Sequence, residues 1–200
     1  MITHVGMMKR IDFVKRQPPS EKKNQHGKFC FLPLAHVMQM MILYQEVICG
    51  NTLVLYQGDS KKILNVIGKF PTGVMLLVPR ILNRIYNEIS SRIAGAGRVA
   101  RFLFTKGLAA KRERILQTNN CKHAFWDKVI FNRIRDAMAG GEVWLAGTGS
   151  APISPEVQIA MSAILSTRLI NGYAMSETLA NPIFSEQWDL EPATTGGPNN

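Results

Sequence analysis

The chain has 200 residues, of which 46% are hydrophobic and 19% charged, with a formal net charge of +10. Enough apolar side chains for a core exclude a globally disordered chain, and the length allows one sizeable domain or part of a larger one. The positive charge attracts nucleotides, CoA, acidic lipid and nucleic acid alike and selects none of them. Cys30, Cys49 and Cys121 form no C-x-x-C pair; neither a disulfide framework nor a zinc site is expected, and each reads as a small buried apolar residue in a reducing compartment.

Residues 1–28 are polar and basic and contain no apolar core of a secretory signal. Arg16 to Asn24, with Pro18-Pro19, reads as a loop. Lys28 to Leu32 reads as a short strand stopped by Pro33, and Leu34 to Cys49 as a helix closed by Gly50-Asn51. Phe29 to Cys49 is the most hydrophobic stretch. His36, Gln39, Gln45 and Glu46 interrupt it, so it reads as a buried or amphipathic helix, not as a span of about 20 apolar residues. Thr52 to Tyr56 is expected as a strand, and Ser60 caps an expected helix from Lys61 to Lys69. Gly73 to Val78, apolar on both faces, reads as a covered parallel strand. Ile81, Ile85, Ile89 and Ile93 recur every four residues on a helix running from about Arg80 toward Ala94. Residues 95–135 are strongly basic, from Arg98 and Arg101 through Lys111 to Arg135, and read as helices with solvated basic faces.

Glu142 to Ala146 is expected as the next strand, ending in Gly147-Thr148-Gly149-Ser150-Ala151-Pro152. Ser154-Pro155-Glu156 then starts a helix, with a capping hydroxyl, proline at the first position and an acid near the positive end of the dipole. Arg168 to Asn171 forms a further strand, followed by Gly172-Tyr173-Ala174-Met175-Ser176-Glu177-Thr178. Repeated strand–helix–strand order implies an α/β fold with a largely parallel sheet, whose ligands sit beyond the carboxyl ends of the strands.

Two loops follow such strands. In 147–154, glycines let the backbone approach a ligand and the following helix N-terminus suits an anion, although an ordinary strand-to-helix turn has the same composition. In 172–178 a ring can pack on a base, a hydroxyl can donate to phosphate, and a carboxylate can hold Mg²⁺ beside phosphate oxygens.

The segments Phe31–His36 (FLPLAH), Tyr56–Asp59 (YQGD), Val78–Arg84 (VPRILNR), Phe125–Phe131 (FWDKVIF), Thr148–Ser154 (TGSAPIS) and Gly172–Thr178 (GYAMSET) follow one another in order. Together they resemble the long-chain fatty-acid–CoA ligases of the adenylate-forming superfamily, and Met1–His4 resembles the stretch just after that family's phosphate loop. The resemblance implies that all 200 residues belong to part of the large, N-terminal AMP-binding domain. The phosphate loop, the downstream ribose-binding aspartate and the C-terminal lysine domain lie outside this sequence, so little or no turnover by this chain alone is expected. It implies ATP, Mg²⁺ and CoA as cofactors and co-substrates and a long-chain fatty acid as substrate. Gly149, Ser150 and Ala151 would line the adenylate and acyl site; Gly172 and Tyr173 would lie at adenine. Ser176 would contact the α-phosphate, Glu177 would help bind Mg²⁺, and His36 would border the acyl pocket near the reacting carboxylate. Ala174 stands where the family has glycine. A cytoplasmic location follows, with peripheral attachment to the endoplasmic reticulum or other membranes. The alternative is a truncated, non-catalytic product that binds acyl chains, nucleotide or a partner.

Other patterns are set aside. Gly95-Ala96-Gly97-Arg98-Val99-Ala100 fits a loose dinucleotide pattern but follows a helix-like segment. No G-x-x-x-x-G-K-[ST] loop is present. His4, His26 and His123 are isolated, which argues against a metal site. Nucleic-acid binding by the basic region is disfavoured against a solvated face or contact with anionic lipid or CoA phosphates.

Overall fold

The computed structural model describes residues 3–16, 28–50, 52–55, 58, 67–70, 72–179, 183, 184, 192 and 194–196. Most of the loop expected between Arg16 and Asn24, most of the helix expected from Lys61 to Lys69, and His26 lie outside them. The elements are α1 (His4–Arg16), β1 (Lys28–Cys30), α2 (Val37–Cys49), β2 (Leu53–Leu55), β3 (Val74–Leu76), α3 (Pro79–Gly95) and α4 (Arg98–Thr118). A short helix (Ala124–Trp126) runs through a π-helical turn (Asp127–Phe131) into α5 (Asn132–Ala139). Then come β4 (Leu145–Gly149), α6 (Pro155–Leu165), β5 (Leu169–Tyr173), a 3₁₀ turn (Ser176–Thr178) and β6 (Ile183–Phe184).

The sheet order is β2-β1-β3-β4-β5-β6. The first five strands pair in parallel and β6 pairs antiparallel with β5. The expected α/β fold with a largely parallel sheet is therefore present. Order reverses between β1 and β3, so all five parallel strands point their carboxyl ends at one rim, with the switch point on it. The helices after β3 pack on the large core, whereas α2 packs with α1 on a separate, smaller one. Met75, Leu77, Ala146 and Leu169 join Ile85, Ile115, Phe131 and Ile164 in the large core. Ile11, Val37 and Met41, with Met40 and Leu179 against them, form a smaller one.

The isoleucine stripe of α3 behaves as its spacing dictates. Four residues advance about 40° beyond a full turn, so the stripe spirals: Ile85 and Ile89 are buried while Ile81 and Ile93 are partly so. The polar residues that interrupt α2 also have work. Gln39 is 2% exposed and its Oε1 accepts from Leu32 N–H at 3.2 Å; Glu46, 1% exposed, pairs with Lys28. Both tie α2 to β1 and its following loop. No described helix is long and apolar enough to cross a membrane.

Three expectations need correction. The stretch expected as Glu142–Ala146 is strand only from Leu145, and it continues through Gly147-Thr148-Gly149. Pairing with β3 on one side and β5 on the other overrides the weak strand propensity of glycine. The basic residues of 95–135 are not all solvated: Lys111 is fully buried. Finally, α1 was not anticipated within the polar, basic start.

Lys111 on α4 pairs with Asp127 in the π-helical turn and donates to Ser166 Oγ at 2.8 Å, while Ser166 donates to the same carboxylate at 3.0 Å. The ammonium also sits 4.7 Å from the Phe131 ring centroid. Burial lowers the Lys111 pKa against the pull of Asp127. Burial also works against the Asp127 carboxylate, but hydrogen bonds from Lys111, His123 N–H and Ser166 outweigh it and hold its pKa below the ordinary value. The sign follows from linkage. Asp127 contributes stability above the ordinary carboxylate value near ~4, and this is lost as pH falls through its lower folded-state value. Unfolding free energy measured by urea titration is expected to decline over that acid window, and Asp127→Asn to flatten the decline. An unchanged slope in the variant would assign the acid sensitivity to other carboxylates.

Burial raises the thiol pKa of Cys30, and pushes that of Cys121 up to about 11. Both are free and buried, as expected of small apolar residues; the Cys49 side chain lies outside the described residues.

Candidate functional site at the carboxyl rim of β4 and β5

β4 and β5 are adjacent and parallel, with Thr148 opposite Asn171 and Gly149 opposite Gly172. The two loops singled out in the sequence therefore leave neighbouring strands at the same rim. They approach unusually closely: a Cβ on Gly149 would lie 2.6 Å from the Gly172 carbonyl oxygen. Glycine is required there because the obstacle is backbone and cannot rotate away. Immediately beyond, Ser150 adopts a left-handed backbone with φ 70°, an uncommon conformation for a residue with a Cβ. Ser150 and Ala151 are exposed.

On the second strand, Gly172 is buried, whereas Tyr173 at the strand end is 52% exposed. The chain then turns through Ser176–Thr178, with Ser176 and Glu177 both exposed. Thr178 holds this turn. Its hydroxyl accepts from Met175 N–H at 3.2 Å and donates to Met175 O at 2.9 Å. Leu179 follows in a left-handed conformation and packs on the small core beside Ile11, Val37 and Met41. Thus α1 and α2 anchor the turn from below. Ala174 is not in the left-handed region, so the missing glycine costs that backbone nothing.

His36 is the N-cap of α2, exposed, and its Nδ1 accepts from Met38 N–H at 3.2 Å. It follows β1, whose axis lies two strand spacings, roughly 10 Å, from β4. The structure thus brings Gly149, Ser150, Ala151, Gly172, Tyr173, Ser176 and Glu177 around one strand pair, with His36 farther along the rim. The α6 N-terminus is less available than its sequence suggested. Ser154 Oγ accepts from Val157 N–H at 3.3 Å, Pro155 has no N–H, and exposed Glu156 adds negative charge.

Sequence reasoning missed Thr148 as a separate site residue. It is 6% exposed, and its Oγ1 has no hydrogen-bond partner. A buried hydroxyl left over at the end of a strand is a polar contact open to a ligand; its place inside a glycine-bearing motif was the only signal. Gln158 and Ser162 were also missed. Gln158 Nε2 donates to Leu169 O at 2.8 Å, and Ser162 Oγ accepts from Leu169 N–H at 2.9 Å. They clamp the first residue of β5 onto α6 and so set where Gly172 and Tyr173 emerge.

For magnesium, the described residues offer no group of three His, Cys, Asp or Glu side chains. A lone exposed Glu177 still fits an ion held mainly by phosphate oxygens and water, the usual arrangement for Mg²⁺ beside nucleotides.

The sequence model of the AMP-binding enzymes matches residues 1–199. The chain belongs to the AMP-binding enzyme family. The chain is 31% identical over 169 residues to a peroxisomal long chain acyl-CoA synthetase 7 of Arabidopsis thaliana, covering 84% of this chain and 24% of that protein. It is 28% identical over 200 residues to long-chain-fatty-acid–CoA ligase 1 of Cavia porcellus, covering 99% of this chain and 28% of that protein. It therefore spans about a quarter of the length of these relatives. In fold, it resembles the N-terminal domain of FACL13 from Mycobacterium tuberculosis, with TM-score 0.61 and 15% identity over 98% of this chain and 39% of that one. It also resembles the A domain of carboxylic acid reductase from Segniliparus rugosus, solved with AMP and a co-purified carboxylic acid. There the TM-score is 0.62 and identity 20%, over 88% of this chain and 25% of that one.

Proposed function

We propose that the chain forms the middle part of the adenylate pocket of a long-chain fatty-acid–CoA ligase. The observation that carries this reading is the contact of Gly149 with Gly172, which opens both loops at one rim of a sheet. The family reaction needs two anions aligned and the phosphate charge stabilised. The carboxylate of the fatty acid attacks the α-phosphate of ATP, giving acyl-AMP and pyrophosphate; the CoA thiol then displaces AMP. In this reading Tyr173 packs on adenine and Gly149, Ser150 and Ala151 face the adenylate and acyl group. Ser176 donates to the α-phosphate, Glu177 supplies the one protein carboxylate to Mg²⁺, and His36 borders the acyl pocket. The chain supplies part of one AMP-binding domain, works in the cytoplasm and touches membranes peripherally.

Binding of AMP and of ATP with Mg²⁺, followed by calorimetry, tests the assignment. Tyr173→Ala is expected to weaken AMP binding by about tenfold, the effect of losing one stacked ring. Glu177→Gln is expected to weaken ATP in the presence of Mg²⁺ and to leave AMP unchanged. No measurable AMP binding by the folded chain would end this reading. The second reading is binding of acyl chains, nucleotide or a partner without turnover. Pyrophosphate release with acyl-AMP formation by this chain alone would overturn it.

A further inference from the structure

We propose that the turn between α3 and α4 is the surface through which this chain docks on an anionic lipid bilayer. The surface gives a location to the peripheral membrane contact proposed above and needs none of the chemistry assigned to the β4–β5 rim.

Helix α4 starts at Arg98 and exposes Val99 (72%) and Phe102 (59%), three residues apart on one face. Adjacent apolar groups with a polar rim mark an interaction surface in a way that scattered ones do not. Arg98, Arg101 and Lys106 are exposed beside them. Glu113 is the only acid in the whole helix, four turns from its start. Arg101 donates to Ala94 O at 2.6 Å, joining α4 to the end of α3 and making the tip a fixed wedge. Exposed Arg92 lies in the last turn of α3, where its Nε donates to Glu88 Oε1 at 2.8 Å, so the basic surplus of the tip rests on Arg98, Arg101 and Lys106. Arg92 also borders an apolar groove of about 230 Å³ lined by Ile89, Ile93, Ile134 and Met138, with exposed Arg133 beside it.

Cations around an apolar wedge are the pattern of an interfacial anchor. The apolar groups enter the acyl boundary while the basic groups meet lipid phosphates. A nucleic-acid face would instead ask for several rings to stack on bases; here one ring stands beside an aliphatic side chain. The charge admits either polyanion, and the aliphatic and aromatic pair beside it selects the anionic bilayer.

Co-sedimentation of the chain with vesicles of phosphatidylcholine alone, or mixed with phosphatidylserine, tests this. Binding is expected only to the mixed vesicles, falling as salt is raised. Arg98→Gln with Lys106→Gln should reduce it about 25-fold, from roughly 1 kcal/mol per basic residue. Val99→Asn with Phe102→Ser should reduce it further at high salt, where the apolar contribution remains. All these positions are exposed, so circular-dichroism melting should match the parent chain. Failure to bind mixed vesicles, equal binding to both vesicle types, variants that bind as the parent does, or preference for a single-stranded oligonucleotide over the vesicles would each overturn the proposal. None of these outcomes bears on AMP binding, so the two readings fail separately.

Discussion

Replacing Lys111 by methionine is expected to lower folding stability by roughly 3–5 kcal/mol, the usual loss when one member of a buried ion pair is removed. The pair itself contributes little net stability, because burying both charges costs about what their attraction returns. The damage comes from what is left behind. Lys111 has a side chain 1% exposed and Asp127 one 13% exposed, so the orphaned carboxylate would stay mostly out of water, with Ser166 and the His123 N–H as its remaining donors. Urea unfolding measures the loss. Adding Asp127→Leu to the methionine variant should recover much of it, since an apolar pair of similar volume removes the stranded charge. A single-variant loss below ~1 kcal/mol would mean that the pair behaves like an exposed one.

Gly149→Ala is expected to cost roughly 1–3 kcal/mol of stability, the range for overpacking a filled site, and to weaken AMP binding by about tenfold or more. The added methyl would stand 2.6 Å from the Gly172 carbonyl oxygen. Neither group can swing aside, so the ends of β4 and β5 must part, and the tyrosine and the Ser150 turn part with them. Gly147→Ala gives the contrast. Its Cβ would crowd the tip of the Leu76 side chain at 2.8 Å, which can change rotamer, and would touch Ile170 at ordinary contact distance, 3.5 Å. A smaller effect at Gly147 than at Gly149, in both melting and AMP titration, is the expected order. The reverse order would show that the close strand approach at Gly149 does not govern the rim.

Much of this architecture was legible along the chain. The stop at Gly50, left-handed at φ 67°, closes α2 as a C-terminal glycine should. Ser154 and Pro155 start α6 where the capping pattern put them. The isoleucines of α3 marked its buried face. The site loops were legible because they gather glycines and hydroxyls directly after apolar strand-like runs. Other features were not legible. Thr148 reads as one more small polar residue until its burial without a partner is seen. Residues 4–16 read as a mixed basic start, because the burial of Ile11 becomes visible only with its partners on α2 and Leu179 in place.

The sequence by itself determined the parallel α/β class, the stop of α2, the start of α6 and the two loops, since each follows from patterns within a short stretch of chain. Only the tertiary structure decided that Lys111 is a core residue and its basic neighbours surface ones. A cation's burial depends on a partner distant in the chain, here Asp127 and Ser166. It alone also extended β4 through two glycines, because strand pairing with Val74–Leu76 and Leu169–Gly172 supplies the hydrogen bonds that local propensity does not.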